Sequence, residues 1–354
     1  MAVKEITDRT PEIDWQMLTL AFDKNLPREE KIGNVLVHRV CSSKIFSPFV
    51  LAWHGYKLHK EKNFDFVWSI MTFAGFAGLF FKLIFPKVKF LLTLQEGTPI
   101  GQLKRKTMIA YPLLVLMFRK ADIVQAISQF LATFGRDMGH KNQIEVIPNG
   151  VDISLFSKVF TPAEKAEMEK MLGKKDGDIF LVTASRLARK NAVDDIISAL
   201  KNLPENISLI VIGKGEEGPR LQKQVEKLGL ENRVKFLGFI DQKEMPKYFS
   251  VCDIFIRPSR SEGFGNSFIE AMAARLPVIA TPVGGIPDFI DDKQTGIFCA
   301  PDNPKSIALS VRMLVENPKL RDYIIQNAFT RVSENYSWDL VARQMKERVF
   351  NKII

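Results

Sequence analysis

The chain has 354 residues, 46% of them apolar and 25% charged, which is enough for two domains that each bury a core. That balance excludes a collagen-like, disordered or low-complexity protein. The net charge of +10 is uneven: up to Gly150 there are 20 Lys+Arg against 13 Asp+Glu, and beyond it 30 against 27. A basic excess admits nucleic acid, an anionic membrane, a phosphorylated substrate or simply a solvated face. No nucleic-acid motif with interleaved aromatics is present, so no nucleic-acid partner is expected. Cys41, Cys252 and Cys299 are odd in number and far apart, which excludes a disulfide scaffold or a Cys-rich zinc site and fits a reducing cytosol.

In chain order, the runs QMLTL, NVLVH, DFVWSI, KFLLTLQ, DIVQAIS and QIEVIP read as strands, with helical or loop segments between most of them. Residues 64–85, FDFVWSIMTFAGFAGLFFKLIF, are nearly long enough to span a bilayer. Their first part is rich in strand formers and their second suits a buried helix, so a strand–helix–strand unit explains the stretch without lipid. A transmembrane helix and a helix resting on a membrane surface are the alternatives. The charged, polar start of the sequence does not read as a cleavable signal peptide.

Pro-Asn-Gly at 148–150 is a turn signal and sets a domain boundary just after residue 152. Beyond it, DIFLVTAS, ISLIVIGKG, RVKFLGF, CDIFIRP, LPVIAT and GIFCAP repeat the strand pattern. Val193, Ile196, Ile197 and Leu200 give one helix an apolar face, and Leu221, Val225 and Leu228 give another. A last helix from Trp338 to about Phe350 aligns Trp338, Val341, Met345 and Val349, with Ser337 as N-cap. This alternation predicts two α/β domains with parallel sheets.

The strongest chemical signal is EGFGNSFIE, in which Glu262 and Glu270 are separated by seven residues. It follows one predicted strand and opens a helix. Gly263 and Gly265 let backbone approach a ligand, and the free N–H groups of the helix start favour an anion such as phosphate. Glu270, a turn into the helix, can accept hydrogen bonds from a diol, and Glu262 can reach a second polyol. The ordinary alternative is a helix with an N-terminal acid and a solvated Glu270. SRLARKN puts Arg186, Arg189 and Lys190 after another strand, and VIGKGEEG is a strand, a Gly-rich turn and a helix start.

The succession IPNGVD, SRLARKN, VIGKGEE, FLGFI, RPSRSEGFGNSFIEAMAARLPVIATPVGGIPD and YSWDLVARQM resembles the family 4 retaining glycosyltransferases over about residues 120–350. The resemblance implies the GT-B fold: two Rossmann-like doubly wound parallel-sheet domains facing across a cleft. Residues 1–152, joined by the C-terminal helix 337–354, would form the acceptor domain, and 153–336 the nucleotide-sugar donor domain. By the same resemblance Glu270 binds ribose hydroxyls, Glu262 lies near the transferred sugar, and Gly263, Phe264, Gly265, Asn266 and Ser267 line sugar and diphosphate. Arg186 neutralises the leaving diphosphate, with Lys190 as a second cation. Ser185, Gly213, Gly215 and Ile240 stand beside the nucleotide. Positive side chains and helix starts would supply the field, so no metal and no further cofactor are expected.

Three departures from the family pattern stand out. The family lysine five places after the arginine is Asn191 here, followed by Ala192, so Lys190 matches less well than Arg186. Gln95 and Glu96 stand where the family often has a histidine; they are the acceptor-side residues, and Gln95 can donate a hydrogen bond but cannot act as a base. The start of the chain resembles the end of the family's first helix, so the first strand and its Gly-Gly loop are expected to be missing, through a shortened form or a rearranged domain.

The resulting expectation is a metal-independent, retaining hexosyltransferase of surface glycan, polysaccharide or glycolipid synthesis. Its donor would be a UDP- or GDP-hexose and its acceptor a glycan or lipid-linked sugar. It would be cytoplasmic or peripheral at the inner membrane face, with His59, Lys60, Lys62, Lys104, Arg105 and Lys106 against anionic lipid. The alternatives are a catalytically impaired nucleotide-sugar-binding protein of the same fold, or a GT-B epimerase or phosphorylase.

Overall fold

Every apolar run named above forms a strand in the computed structural model, which describes all residues except 1, 24, 44, 45, 98–100, 102–104, 106, 107 and 109. The chain divides into two compact units: Met1–Gly150 with Trp338–Ile354, and Val151–Ser337.

In the second unit, β8 (Ile179–Ala184), β9 (Ile207–Ile212), β10 (Val234–Gly238), β11 (Ile254–Arg257), β12 (Val278–Ala280) and β13 (Ile297–Phe298) form one sheet. Its order is β10-β9-β8-β11-β12-β13, with every pairing parallel. Strands covered on both faces are apolar along their whole length, which is why they stand out as short continuous runs. The helices Val193–Ala199 and Gly218–Leu228 bury Val193, Ile196, Ile197, Leu221 and Val225 in that core.

The first unit holds two sheets. One is β1-β3-β2, built from β1 (Trp15–Leu20), β2 (Glu29–Ile32) and β3 (Val35–Val40). The other is β4-β5-β6-β7, built from β4 (Phe66–Ile70), β5 (Lys89–Leu94), β6 (Ile123–Ala126) and β7 (Ile144–Val146), all parallel. The expectation of wholly parallel sheets is corrected at β2. This strand pairs antiparallel with β3 across the Gly33-Asn34 turn. Its sequence, EEKI, is charged and mostly exposed, as suits an edge strand.

Among the described residues the two sheets of the first unit share no ladder. Among the described residues β1 pairs only with β3, and β4 only with β5. Aromatic rings occupy the junction. Trp15 of β1 lies 5.7 Å from Phe66 and 5.5 Å from Trp68 of β4, and 5.3 Å from Phe350. The C-terminal helix Trp338–Arg348 adds Trp338, Val341 and Met345 to the same cluster. Helix α1 (Ala2–Asp8) contributes Ile6, and its Asp8 accepts a hydrogen bond from Asn34 N at 2.9 Å.

Residues 64–85 contain β4 and helix α3 (Met71–Ile84), which buries Thr72, Gly75, Phe76, Gly78, Leu79 and Phe81. A spanning helix needs about 20 apolar residues, and no described helix is long and apolar enough to cross a membrane. Helix α2 (Ser47–Lys62) lies on α3, where Phe49 stacks on Phe80 at 4.7 Å.

The junction makes a direct prediction. Trp15 is buried and its Nε1 donates to Thr10 Oγ1 at 3.0 Å. Trp15→Ala removes the ring that joins the two sheets and is expected to cost about 3–5 kcal/mol in urea unfolding. Trp15→Phe keeps a ring and loses the hydrogen bond, so about 1 kcal/mol is expected. Equal losses in the two variants would mean that ring packing does not hold the sheets together.

Candidate functional site

In the second unit the chain winds outward from β8 in both directions, so the strand order reverses between β8 and β11. Loops leaving the carboxyl ends of two such strands diverge and leave a crevice, the usual ligand site of an open α/β sheet. Residues 185–191 leave β8, and 258–265 leave β11. The turn 213–217 after β9 and the loop 239–244 after β10 flank them.

Backbone contacts hold these loops together. Ser185 N donates to Ile212 O at 3.0 Å, Gly213 N to Gly238 O at 2.7 Å, and Leu187 N to Lys214 O at 3.0 Å. Gly213 has φ +133°, and a Cβ there would stand 1.9 Å from Ser185 O, so a side chain is excluded. Across the crevice Arg260 N donates to Lys190 O at 2.7 Å. The Arg260 side chain pairs with Asp194 at 2.9 Å and Asp195 at 2.7 Å.

Glu262 is buried. Its Oε1 accepts from Gly263 N at 3.1 Å, its Oε2 is held by Arg257 Nη2, and Lys190 Nζ stands 3.8 Å from Oε2. Arg257, the last residue of β11, is buried too. It donates to Asn191 Oδ1 and to Ser267 Oγ, each at 3.0 Å, and lies over the Phe268 ring. Asn191 in turn donates to Arg186 O at 2.6 Å. Burial pushes the Lys190 ammonium below its usual value, against the pull of Glu262.

The helix Asn266–Ala273 begins at Gly265, whose φ of +99° is open to glycine and strained for other residues. Glu270, one turn in, is partly buried and accepts a hydrogen bond from Gln242 Nε2 at 2.7 Å. Burial pushes its carboxyl up to about 7, opposed by Gln242 and by the charge of Arg257. The Phe264 ring is buried against Phe289 at 4.9 Å, which leaves only its main chain for a ligand. Ile240 is partly buried in the same loop as Gln242. Arg186 is open to solvent, paired with Glu216 at 3.0 Å. Ser185 Oγ is buried without a described partner.

Glu262, Lys190, Ser267 and the loop glycines thus converge on one crevice, with Glu270 a turn below and Arg186 at the rim. Gln95 and Glu96 lie in the first unit. Gln95 Nε2 donates to Asn149 Oδ1 at 2.9 Å. Glu96 is buried; its Oε1 accepts from Thr72 N at 2.5 Å and from the Thr72 hydroxyl, so it caps the start of α3. Arg257, Gln242 and Arg260 were not singled out from the sequence. The available signal for Arg257 was a charge ending the otherwise apolar run CDIFIRP; Gln242 gave none. Among the described residues no group of three His, Cys, Asp or Glu is arranged to hold a metal ion.

Two family models match the chain: glycosyltransferase family 4 over residues 13–155 and glycosyl transferases group 1 over residues 164–331. An uncharacterized glycosyltransferase of Methanocaldococcus jannaschii is 28% identical over 348 residues, covering 94% of this chain and 88% of that protein. The crystal structure of HepE from Anabaena with UDP and glucose superposes with a TM-score of 0.84 at 21% identity, covering 99% of this chain and 95% of that one. Sucrose-phosphate synthase from Thermosynechococcus elongatus gives 0.88 at 21%, covering 99% and 92%. These two structures show likeness of fold.

Glu270 makes the site sensitive to pH. A carboxyl raised to about 7 in the fold, from an ordinary 4.5, binds its proton more tightly folded than unfolded. Its contribution to stability is therefore present below about pH 4.5 and lost as pH rises through 7. Glu270→Gln removes that loss, so the variant should melt several degrees above the unsubstituted chain at pH 8 and show no advantage at pH 5. Parallel melting profiles at all pH values would contradict the raised carboxyl.

Proposed function

Because the chain belongs to the family 4, or group 1, glycosyltransferases and has the GT-B fold of two α/β domains, we propose that it moves a hexose from a nucleotide diphosphate sugar to an acceptor hydroxyl with retention. One observation carries the reading: the crevice between β8 and β11 gathers two carboxylates, Lys190 and a helix start within a single unit. Glu270 accepts hydrogen bonds from the ribose diol, and the N–H groups after Gly265 face the diphosphate. Arg186 and Lys190 stabilise the charge that develops as the diphosphate leaves, and the acceptor attacks the face it vacates through an oxocarbenium-like state. Glu262 faces the sugar; its tie to Arg257 favours orienting hydroxyls over covalent attack. HepE holds UDP and glucose, which supports a UDP-hexose here, with GDP-hexoses in the same panel.

The acceptor reading draws on the first unit. Phe46, Phe49 and Trp53 are 63%, 58% and 56% exposed and share one stripe with Lys57 and Lys60. Lys57 Nζ lies 5.4 Å over the Trp53 ring, and Lys60 Nζ 4.8 Å over Tyr56. Aromatic rings beside lysines suit an anionic lipid surface, where each lysine contributes about 1 kcal/mol. The surface helix is α2, with α3 beneath it. His59 is turned inward: its Nδ1 accepts from Phe64 N at 3.0 Å and its ring lies 4.3 Å from Phe85. Lys104 and Lys106 lie outside the described residues. The proposed acceptor is accordingly a lipid or lipid-linked sugar at the cytoplasmic membrane face.

Incubation with UDP-, GDP- and ADP-hexoses should release nucleotide from one donor, and EDTA should leave that rate intact. Arg186→Ala should lower turnover about tenfold or more with little change in melting, because the side chain is exposed. Thermal stabilisation by a donor with no released nucleotide would favour the binding-protein reading instead. Loss of activity on chelation, restored by Mg²⁺ or Mn²⁺, would overturn the metal-free leaving-group chemistry.

Trp53→Asp should abolish co-sedimentation with phosphatidylglycerol vesicles at low salt and leave the melting temperature unchanged. Equal binding of the unsubstituted chain to neutral phosphatidylcholine vesicles, or none to either, would overturn the membrane surface.

A further inference from the structure

Arg257 is the buried cation of the crevice, and nothing in the proposed chemistry requires it to meet the donor. Its guanidinium joins the loop 185–191 to the loop 258–265 and to the start of the helix that follows it. Nη2 holds Glu262 Oε2 and lies 3.0 Å from Asn191 Oδ1, while Nη1 lies 3.0 Å from Ser267 Oγ. Nε is buried with no described partner, so the group is anchored wholly from its forked end. A buried charge is tolerated only when paired and hydrogen-bonded. Glu262 meets that need, and in return its carboxylate is held in one orientation before any ligand arrives.

We propose that Arg257 is a positioning residue for transfer. It orients Glu262 toward the sugar and ties the 185–191 loop to the start of the helix Asn266–Ala273. This rests on the transferase reading above and deepens it. Asn191 is the second half of the device. It is 2% exposed, and it relays the anchor from Arg257 to the backbone of Arg186, at 2.6 Å. The Arg257 side chain therefore cross-links the two walls of the crevice, one from β8 and one from β11, at the switch point, beside the contacts of Arg260 to the carbonyls of Arg189 and Lys190. Residue 191 is neutral and shares Arg257 Nη2 with Glu262, so a cation moved from residue 257 to residue 191 would approach the same carboxylate from the opposite wall.

The test is a charge exchange. In Arg257→Leu the amides of 186–191 and 262–267 should lose protection from hydrogen exchange, with the β8–β12 strands protected as before. The turnover of UDP-glucose, or of whichever donor the panel identifies, should fall about 10–100-fold, with KM within about threefold. Adding Asn191→Lys to Arg257→Leu should restore both the protection and most of kcat. Arg257→Lys keeps a charge with one fewer fork and should retain an intermediate kcat; it also serves if the leucine variant does not fold. Unchanged loop protection in the folded variants, or a double variant no better than Arg257→Leu, would overturn the positioning role. If the unsubstituted chain turns over no donor, the transferase reading fails, while the exchange measurement still decides whether Arg257 locks the two loops.

Discussion

The site depends on one topological constraint, the reversal of strand order between β8 and β11. Two parallel strands lie side by side, and the chain leaves each in opposite directions, so their terminal loops cannot cover each other. The open crevice exposes backbone N–H groups and needs charge of both signs along its walls. The chain supplies it with Glu262, Arg257 and Lys190 in close contact, all substantially shielded from water. Such a cluster contributes little net stability, since desolvation offsets much of the attraction, yet breaking it on one side costs several kcal/mol. That asymmetry favours a fixed arrangement over a stable one, which is what preorganisation for a charged transition state requires.

The first unit solves a different problem. A doubly wound sheet is ordinarily continuous through its middle, and here it is broken between β1 and β4. Among the described residues no strand pairing bridges the break; the rings of Trp15, Phe66, Trp68 and Phe350 do, and the helix that follows Ser337 closes over them. Packing of large rings is less directional than a strand ladder. The unit therefore keeps the architecture of its four-stranded parallel half, β4 to β7, while the part around β1 and β3 rests on side-chain contact.

What was legible in the sequence follows from these physics. Strands buried on both faces are apolar throughout and were readable one by one. β2 was not, because an exposed edge strand of Glu and Lys has no apolar signature. The helix faces of 193–199 and 338–348 were readable from their spacing. The glutamates and glycines of the crevice were readable because a motif carries them, but their partners were not. Gln242 reaches Glu270 only through the successive pairing of β10, β9, β8 and β11, and Arg257 reaches Asn191 only through that of β8 and β11. Side chains brought together by strand pairing over 28 and 66 residues of chain leave no local pattern. Residues 64–85 were ambiguous for the opposite reason, since a buried helix and a lipid-facing one use the same residues.

On the function proposed above, the second unit's crevice binds a nucleotide diphosphate sugar. Hydrogen–deuterium exchange with and without saturating UDP-glucose, repeated with GDP-mannose, tests it most directly. The active donor should slow exchange in three segments together: 185–191, 213–218 and 262–270. Protection confined to the first unit, or none in those three segments despite measured binding, would contradict it.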